Sequence, residues 1–245
     1  MARVAVVTGA GRGLGAAVAA ELHRRGHRVG LLDLDGSSAV ALARRLDGTG
    51  ATAVGVGVDV RDAVAVRTAL AELDGRLGSP DVLVNNAART VSRSVWDIEL
   101  DEWDDVLATN LRSVLVTTRA LAPAMRERGW GRIVNMASLA GQQGGLVAGA
   151  HYASSKAGIL VLTKIFARDL AADGVTVNAV APAAVRTPVM DGMDPERLRQ
   201  AEASIPVGRF GRPEEVAELV AFLCGEQAGY ITGATFDING GAFMR

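Results

Sequence analysis

Three side chains whose chemistry suits proton transfer lie close together in the sequence. Tyr152 and Lys156 are four residues apart in HYASSKAGILVLTK, and Ser138 precedes Tyr152 by fourteen residues in NMASLAG. Side chains four residues apart share one face of a helix, which would place the phenol beside the ammonium. A free phenol has a pKa of about 10, and a nearby positive charge favours the phenolate, so Lys156 is predicted to bring the pKa of Tyr152 towards neutral pH. Ser138 could then hold a substrate oxygen, although the Tyr–Lys spacing alone is more typical of a solvated helix face.

The chain begins with a strand, a glycine-rich turn and a helix. Val4–Val7 form a continuous apolar run that predicts a buried strand, and TGAGRGLG follows at Thr8–Gly15. Leu14, Val18 and Leu22 then recur at helical spacing. Glycines in such a turn let the backbone approach a pyrophosphate, and the helix N-terminus offers unpaired N–H groups to its charge. The order of these elements predicts a dinucleotide-phosphate site rather than a plain turn.

Taken together, these motifs resemble the short-chain dehydrogenase/reductase family. The resemblance covers nearly the whole chain, in order, and rests on TGAGRGLG, NNAA at residues 85–88, Asn110, Ser138, Tyr152, Lys156 and residues 182–187. It implies a nicotinamide cofactor, hydride transfer between that cofactor and a carbonyl or alcohol carbon, and a homotetramer. Some proteins of this fold are sensors or scaffolds instead, but the presence of both the tyrosine and the lysine favours an enzyme.

The resemblance implies four catalytic residues. In reduction, Ser138 would donate a hydrogen bond to the carbonyl oxygen and Tyr152 would protonate it, and in oxidation the Tyr152 phenolate would accept the alcohol proton. Lys156 would also contact the nicotinamide ribose, while Asn110 would kink its helix and hold a water that links Lys156 to solvent. His151 adjoins Tyr152, but adjacent helix positions point in different directions, so no catalytic role is expected for it.

The resemblance also implies a set of cofactor contacts. They are Gly9, Arg12, Gly13, Leu14 and Gly15 in the glycine loop, Asp33, Asp59, Val60, Asn85, Asn86, Ala87, Ala88, Tyr152, Lys156, Pro182, Val185 and Thr187. The Val185 backbone and the Thr187 hydroxyl would hold the carboxamide of the nicotinamide. Ala88 and Ala183 stand where the family usually has glycine. No metal site is expected, since the chain has three histidines and one cysteine without ligand spacing.

Asp33 bears on the choice of cofactor, because it closes the predicted second strand in LLDLD. An acid at this point of a dinucleotide fold hydrogen-bonds the ribose hydroxyls and repels a 2′-phosphate. Arg12 argues the other way, since family members with arginine there often accept NADP. We weigh Asp33 more heavily and predict NAD, with NADP less favoured. Asp59 and Val60 resemble the family's adenine-contacting pair, although a simple loop acid is the alternative for Asp59.

The remaining sequence predicts a single α/β domain over residues 1–245. Its apolar runs predict seven strands at Val4–Val7, Arg28–Leu32, Ala51–Val58, Val82–Val84, Ile133–Met136, Thr176–Val180 and Thr235–Ile238. Helices are expected after Gly13, near Ser38, near Asp62, from an N-cap at Asp101 to Arg128, and from Tyr152 to Ala172. Continuously apolar strands alternating with helices predict a doubly wound parallel sheet, a Rossmann fold of three layers, with ligands at the carboxyl ends of the strands.

Composition excludes some classes of function. The net charge of −1 gives no general attraction to nucleic acid or to a membrane, and no long uncharged run is present that could span a bilayer. The single cysteine, Cys224, cannot form an internal disulfide, which suits a cytoplasmic protein.

The substrate is less well defined by the sequence. Residues 186–211 contain proline, glycine, Met190 and Met193 around a predicted helix at Pro195–Ala203, which is consistent with a mobile substrate lid. Small residues precede Tyr152, among them Gly144, Gly145, Val147, Ala148 and Gly149, and they leave room for a bulky or cyclic substrate.

Within the family, IPVGRFGRPEEVA, YITG and the final NGG are similar to the 3-oxoacyl-carrier-protein reductases. Those enzymes usually take NADPH, which Asp33 disfavours. They also present basic docking residues at two places that here hold Gly129 and Asp173, with Arg126, Arg128 and Arg132 near the first. We therefore predict an NAD-dependent dehydrogenase of a small or cyclic secondary alcohol, with an NADPH-dependent 3-oxoacyl-thioester reductase as the alternative.

Overall fold

A computed structural model describes residues 2–145, 148–186, 192 and 194–244, and these form one seven-stranded parallel sheet. The strand order is β3-β2-β1-β4-β5-β6-β7, and every neighbouring pair is parallel. The strands are β1 (Val4–Thr8), β2 (Arg28–Asp33), β3 (Ala53–Gly57), β4 (Val82–Asn85), β5 (Gly131–Met136), β6 (Val175–Pro182) and β7 (Thr235–Ile238). All seven predicted strands are present, and the doubly wound α/β fold is confirmed.

Helices cover both faces of the sheet, which explains why most strands are apolar throughout. The helices are α1 (Gly13–Arg24), α2 (Gly36–Leu46), α3 (Ala63–Leu77), α4 (Leu100–Leu107), α5 (Ser113–Glu127), α6 (Ala140–Gln143), α7 (Ala150–Leu170), α8 (Pro195–Ala203) and α9 (Pro213–Leu223). One core cluster joins α1, α2 and α9 to the sheet, and a second joins α3, α5 and α7 to its other face. The predicted three layers are thus present.

The strand order reverses between β1 and β4, and this reversal places the site. The chain runs outward from β1 to β3 and then returns to β4 on the other side of β1. Ligands of such folds bind in the crevice outside the carboxyl ends of the strands at this switch point. The turn after β1 is the glycine loop and the turn after β4 is NNAA, so both predicted cofactor segments lie at the crevice.

The predicted helix from Asp101 to Arg128 is irregular. It consists of α4, one π-helical turn at Ala108–Arg112, and α5. Asp101 is not its N-cap: Glu99 is, because its extended backbone directs its carbonyl to accept from the N–H of Trp103 at 2.9 Å. Asp101 instead lies in the first turn, where its charge favours the positive end of the helix dipole.

Other features of the described residues agree with the sequence patterns. Helix α8 has the predicted bounds and begins where the Asp194 side chain accepts from the N–H of Glu196 at 3.0 Å. Cys224 is a buried free cysteine, and burial raises the pKa of its thiol to about 12. No helix among the described residues is long and apolar enough to cross a membrane.

Candidate active site

The glycine loop is shaped so that only small residues fit. Gly9 and Gly13 have φ angles of +63° and +58°, which other residues rarely adopt. A Cβ atom on Gly15 would lie 2.1 Å from the Gly9 carbonyl oxygen and 2.5 Å from Nδ2 of Asn86. The side chain of Arg12, the N-cap residue of α1, makes no capping hydrogen bond, whereas Asp62 caps α3. The first N–H groups of α1 therefore lack a side-chain cap, as a pyrophosphate site requires.

Asn86 fastens the NNAA segment to the glycine loop. Its side-chain amide donates to the carbonyl oxygens of Thr8 and Gly9, each at 3.0 Å. In return, the Thr8 hydroxyl accepts from the N–H groups of Asn86 and Ala87, each at 3.0 Å. Ala88 follows at the exposed surface. These bonds hold the ends of β1 and β4 together at the predicted cofactor crevice.

Asn85 differs from its neighbours, and the prediction that it lines the cofactor is wrong. Its side chain is buried in the layer between β4 and α5, where its amide donates to Asn135 Oδ1 at 2.8 Å. Its Oδ1 atom accepts from the Thr117 hydroxyl at 2.6 Å. Side chains alternate between the two faces of a strand, so Asn85 faces the helices while Asn86 reaches the loop.

Asp33 lies beside the glycine loop at the end of β2. Its Oδ2 atom accepts from the N–H of Gly11 at 2.8 Å, and its Oδ1 atom accepts from the N–H of Asp35 at 2.9 Å. Asp35 places a second carboxylate there, because it caps α2 through the N–H groups of Ser37 and Ser38. These hydrogen bonds hold the pKa of Asp35 at about 2. The end of β2 thus carries two carboxylates.

The predicted adenine-contacting pair lies beyond β3. The side chain of Asp59 is paired with Arg61, whose Nε atom lies 2.9 Å from its Oδ2 atom, and this contact lowers the pKa of Asp59. Val60 is buried. The contact of these two residues with adenine remains a prediction.

The structure brings Tyr152 and Ser138 together, as predicted. Tyr152 lies in the first turn of α7, where burial raises its pKa, and it is close enough to Ser138 and Thr90 that hydrogen bonding from their hydroxyls acts to lower it. Ser138 follows β5, and its oxygen accepts from the N–H of Ala140 at 3.1 Å. Because the Ser138 oxygen accepts this bond, its own proton can be donated to another oxygen. The pair can therefore act on one carbonyl group.

The electrostatics of the tyrosine–lysine pair differ from the prediction. Burial raises the pKa of Tyr152, and the hydrogen bonds from Ser138 and Thr90 oppose that rise. Lys156 is buried, donates from Nζ to the Met136 carbonyl at 2.6 Å, and lies 5.6 Å from the centre of the Tyr152 ring. Burial lowers the pKa of Lys156 to about 8. Desolvation is therefore the largest effect on the pKa of both side chains. The predicted lowering of the Tyr152 pKa by Lys156 is not found.

Asn110 occupies the π-helical turn, where the sequence resemblance predicts a kink. Its side chain is fully buried. Its Oδ1 atom accepts from the N–H of Arg89 at 2.7 Å, while its Nδ2 atom donates to the Arg89 carbonyl at 3.0 Å and to the Ser155 hydroxyl at 3.1 Å. Asn110 therefore holds the segment after β4 against α7. Its predicted water link to Lys156 stays a prediction.

The nicotinamide end of the crevice is described only in part. Pro182 ends β6, and its carbonyl accepts from the N–H of Leu139 at 2.9 Å, which ties the segment after β5 to β6. Val185 forms a bridge with Gly211. Thr187 lies outside the described residues, as do Met190, Met193 and Val147.

A cavity of about 600 Å³ opens beside the first turn of α7. Its wall consists of the segment after β4 and of small residues before and within α7, namely Ser92, Arg93, Ser94, Val95, Gly144, Gly145, Ala148, Gly149, Ala150, Ala153 and Ser154. The small side chains before Tyr152 thus border open space, as the sequence predicts.

Two residues near the phenol have positions that the sequence does not predict. His151 is fully buried: its Nδ1 atom accepts from the backbone N–H of Tyr152 at 2.9 Å, and its Nε2 atom lies 3.3 Å from Oε1 of Glu102. It therefore holds the backbone of Tyr152 rather than facing a substrate. Thr90, an exposed residue of the segment after β4, acts by hydrogen bonding to lower the pKa of Tyr152, against the larger effect of burial. The one sequence feature that could have pointed to Thr90 is its position just beyond the carboxyl end of a central strand, where ligands of this fold bind.

Comparison with known proteins agrees with this geometry. Residues 9–242 match the family model described as enoyl-(acyl carrier protein) reductase. The chain belongs to the short-chain dehydrogenase/reductase family, whose members are oxidoreductases that bind a nicotinamide cofactor. It is similar over its full length to proteins named 3-oxoacyl-(acyl-carrier-protein) reductase.

Three of these relatives illustrate the similarity. The Staphylococcus aureus protein is 38% identical over 246 residues, which cover 100% of this chain and 99% of the relative. The Pseudomonas aeruginosa protein is 39% identical over 243 residues, with 99% and 98% covered. The Escherichia coli protein is 36% identical over 242 residues, again with 99% and 98% covered.

Proposed function

We propose that the chain reduces the 3-oxo group of an acyl thioester to a hydroxyl group, with hydride from a nicotinamide cofactor. The observation that carries the proposal is the pairing of Ser138 with Tyr152 in a chain that such reductases match from end to end. The relatives favour this activity over our first prediction, the dehydrogenation of a small or cyclic secondary alcohol.

Each residue of the site has a definite part in this reaction. The bound cofactor supplies the hydride that forms the new C–H bond. Ser138 donates a hydrogen bond to the carbonyl oxygen and so stabilises the negative charge that develops there. Tyr152 transfers its proton to the same oxygen, which breaks the phenol O–H bond and leaves a phenolate. Burial raises the pKa of Tyr152, so the phenol keeps its proton until the oxygen becomes basic.

The buried ammonium of Lys156 completes this arrangement. It lies on the same helix face as the phenol and 5.6 Å from its ring. In the proposed reaction it opposes the charge of the phenolate and contacts the nicotinamide ribose. The Met136 carbonyl, which accepts one of its three protons, fixes its direction.

A secondary-alcohol substrate remains the second candidate, because the surface expected to dock an acidic carrier protein has its charges paired. Arg126 Nε lies 2.6 Å from Oδ2 of Asp173, and Arg128 donates to the Pro80 carbonyl at 2.6 Å. Arg132 is buried in β5. These arginines are therefore less available to an acidic partner than unpaired, exposed ones.

One panel of substrates tests these alternatives. Purified protein would be supplied with NADH or NADPH and, in turn, with a 3-oxoacyl coenzyme A thioester, a 3-oxoacyl carrier protein, a cyclic ketone and a 2-enoyl thioester. We expect oxidation of the reduced cofactor with the 3-oxoacyl thioesters. Faster turnover of the cyclic ketone would favour the secondary-alcohol dehydrogenase, and turnover of the enoyl thioester alone would refute carbonyl reduction.

We propose that the cofactor is NAD(H), which rests on the two carboxylates at the end of β2. A 2′-phosphate at this place would be repelled by the carboxylate of Asp33. The carboxylate of Asp35 already caps the N-terminus of α2, where an anion would otherwise bind. Arg12 is exposed and makes no capping hydrogen bond to α1.

Replacing Asp33 with serine is expected to shift the preference towards NADP. The change removes a negative charge and its hydrogen bonds to the ribose, so the kcat/KM ratio of NADPH to NADH should rise by roughly ten- to a hundredfold. Asp74→Ser is the matched control, because it makes the same charge change on the exposed surface of α3. A wild-type enzyme that already prefers NADPH would instead give Arg12 the deciding role.

We also propose that the chain assembles as a homotetramer through α4–α5 and α7. Of the apolar residues of these helices, Val106, Leu121 and Ile159 are buried in the subunit core, so they cannot form such an interface. Half-buried and exposed ones remain, namely Leu107, Leu111, Leu115, Leu160, Leu162, Ile165 and Phe166, and the exposed Val161 adds to them. A surface of this kind favours an interface between copies.

Light scattering at micromolar concentration is expected to give about four times the subunit mass of 25.4 kDa. Replacing Val161 and Ile165 with serine should lower that mass, since both are more than half exposed in the single chain. A mass of one subunit for the unmodified protein would refute the assembly.

A further inference from the structure

His151 is fully buried in the first turn of α7, although its imidazole ring can carry a charge. Its Nδ1 atom accepts from the backbone N–H of Tyr152 at 2.9 Å, and its Nε2 atom lies 3.3 Å from Oε1 of Glu102 in α4. Gly149, the N-cap residue of α7, offers no side chain to cap the helix. The ring therefore supplies an acceptor to one of the first N–H groups of the helix, which have no partner within it.

The ring of His151 fits at this place because residue 149 is glycine. A Cβ atom on Gly149 would lie 2.5 Å from Cε1 and 2.9 Å from Nδ1 of the ring, and 3.1 Å from the carbonyl oxygen of Val91. That carbonyl accepts from the N–H of Gly149 at 2.9 Å. The start of α7 and the segment after β4 thus enclose the ring against the backbone of Tyr152.

The two partners of His151 select one protonation state of its ring. The N–H of Tyr152 is a donor, so Nδ1 must present its lone pair. Hydrogen bonding from Arg93 lowers the pKa of Glu102, so at neutral pH this carboxylate can only accept, and Nε2 must carry the proton. His151 is therefore assigned, from its partners, as a neutral imidazole protonated at Nε2.

Arg93 also balances the charge of Glu102. Its Nε atom donates to Oε1 of Glu102 at 2.6 Å, and its Nη2 atom donates to Oε2 at 3.0 Å. Because an unbalanced carboxylate would favour the imidazolium form of His151, this pairing favours the neutral ring. Arg93 is one of the residues that line the cavity beside α7. A chain of contacts therefore runs from the cavity wall, through Glu102 and His151, to the backbone of Tyr152.

We propose that His151 is a positioning residue, which in this tautomer fixes the backbone of Tyr152 so that the phenol meets the substrate oxygen. The inference rests on the carbonyl reduction proposed above. A displacement of about 1 Å in a reacting group can lower a rate by roughly a hundredfold, so the acceptor that holds this turn bears directly on kcat. A proton on Nδ1 would turn that acceptor into a donor that faces another donor.

The tautomer can be measured without substrate or cofactor. In protein labelled with isotopic nitrogen in its histidines, the nitrogen chemical shifts distinguish a ring protonated at Nε2, a ring protonated at Nδ1 and an imidazolium. The chain has three histidines, His23, His27 and His151, and the spectrum of His151→Asn identifies the signals of His151 by their loss. We expect the Nε2–H tautomer at pH 7. The Nδ1–H tautomer or an imidazolium at this pH would overturn the proposal.

Two variants separate the two contacts of the ring. The amide oxygen of asparagine is bonded to Cγ, as Nδ1 is, so His151→Asn can still accept from the N–H of Tyr152. The amide nitrogen of glutamine has the place of Nε2, so His151→Gln keeps only the contact with Glu102. With whichever carbonyl substrate of the panel turns over, His151→Gln should lower kcat about tenfold, as expected for the loss of one buried hydrogen bond. His151→Asn should stay within roughly threefold of the wild type, and KM for the cofactor should change little in both.

His23→Asn and His23→Gln are the matched controls, because His23 lies in α1 and bonds to the Thr52 hydroxyl. Both should keep wild-type kcat, and circular dichroism verifies the fold of all four variants. Equal losses of kcat in His151→Asn and His151→Gln, or no loss in His151→Gln, would overturn the role of His151. The expected tautomer and kcat difference, found with a cyclic ketone but with no 3-oxoacyl thioester, would support His151 and refute the proposed substrate. Since the tautomer is measured in the unaltered protein, it tests the proposal even if a variant fails to fold.

Discussion

Replacing Tyr152 with phenylalanine is expected to lower kcat for carbonyl reduction by about 10²- to 10⁴-fold, because the change removes only the group that transfers the proton. Phenylalanine has a ring of the same shape, and the bond from the backbone N–H of residue 152 to His151 is unchanged. Nicotinamide binding should therefore change little, and so should the thermal midpoint. Steady-state kinetics, titration of cofactor fluorescence and thermal unfolding measure the three quantities.

Tyr230→Phe supplies a matched control for this prediction. It makes the same chemical change at the only other tyrosine, whose side chain is fully exposed, and it should keep wild-type turnover. If Tyr152→Phe also kept near-wild-type turnover of an authentic substrate, the proton would have to come from another group. A large loss of cofactor binding in Tyr152→Phe would show instead that the hydroxyl serves the cofactor site.

The fold could be predicted from the sequence because its signals are local. Strands buried on both faces need continuous apolar runs, and all seven runs are strands. The one strand predicted too long is β3, which begins at Ala53 rather than Ala51. Thr52 belongs to the preceding turn, where its N–H donates to Oδ2 of Asp47 at 2.7 Å. A side chain that competes for a backbone N–H is invisible to a hydrophobic pattern.

The site could be predicted only where the family motif and helix spacing define it. Tyr152 and Lys156 share a helix face because of their spacing, and Ser138 meets the phenol because β5 and α7 are adjacent in the fold. Thr90 comes from a third element, so its approach depends on how β4 and α7 pack. The face of β4 on which Asn85 lies depends likewise on the register of the whole sheet.

The pKa values of the site depend even more on the folded structure. The prediction for Tyr152 considered the charge of Lys156, which the sequence shows. It omitted desolvation, which is set by every atom packed around the two groups. Burial disfavours the charged form of each group, so it raises the pKa of Tyr152 and lowers the pKa of Lys156. The change at Tyr152 is therefore opposite to the predicted one.

Lys156→Met is the variant in which activity and stability should change in opposite directions. Methionine fills a similar volume without a charge, so turnover should fall by more than in Tyr152→Phe, and nicotinamide binding should weaken through loss of the ribose contact. The folded chain, by contrast, no longer has to bury an ammonium whose pKa falls from 10.5 to about 8. That difference corresponds to about 3 kcal/mol, from which about 1–2 kcal/mol is subtracted because the Met136 carbonyl loses its donor.

At pH 7 we therefore expect Lys156→Met to unfold in urea with a free energy about 1–2 kcal/mol above that of the wild type. This advantage should shrink as pH rises. Between pH 8 and 10.5 the folded wild type has lost the Lys156 proton while the unfolded chain still binds it, so wild-type stability increases with pH in this window. By pH 9.5 the wild type should have gained about 2 kcal/mol relative to the variant. Lys164→Met, at the exposed lysine of the same helix, should show neither effect. A pH-independent difference for Lys156→Met would instead mean that Lys156 has the same pKa in the folded and unfolded chains, so that its burial is not penalised.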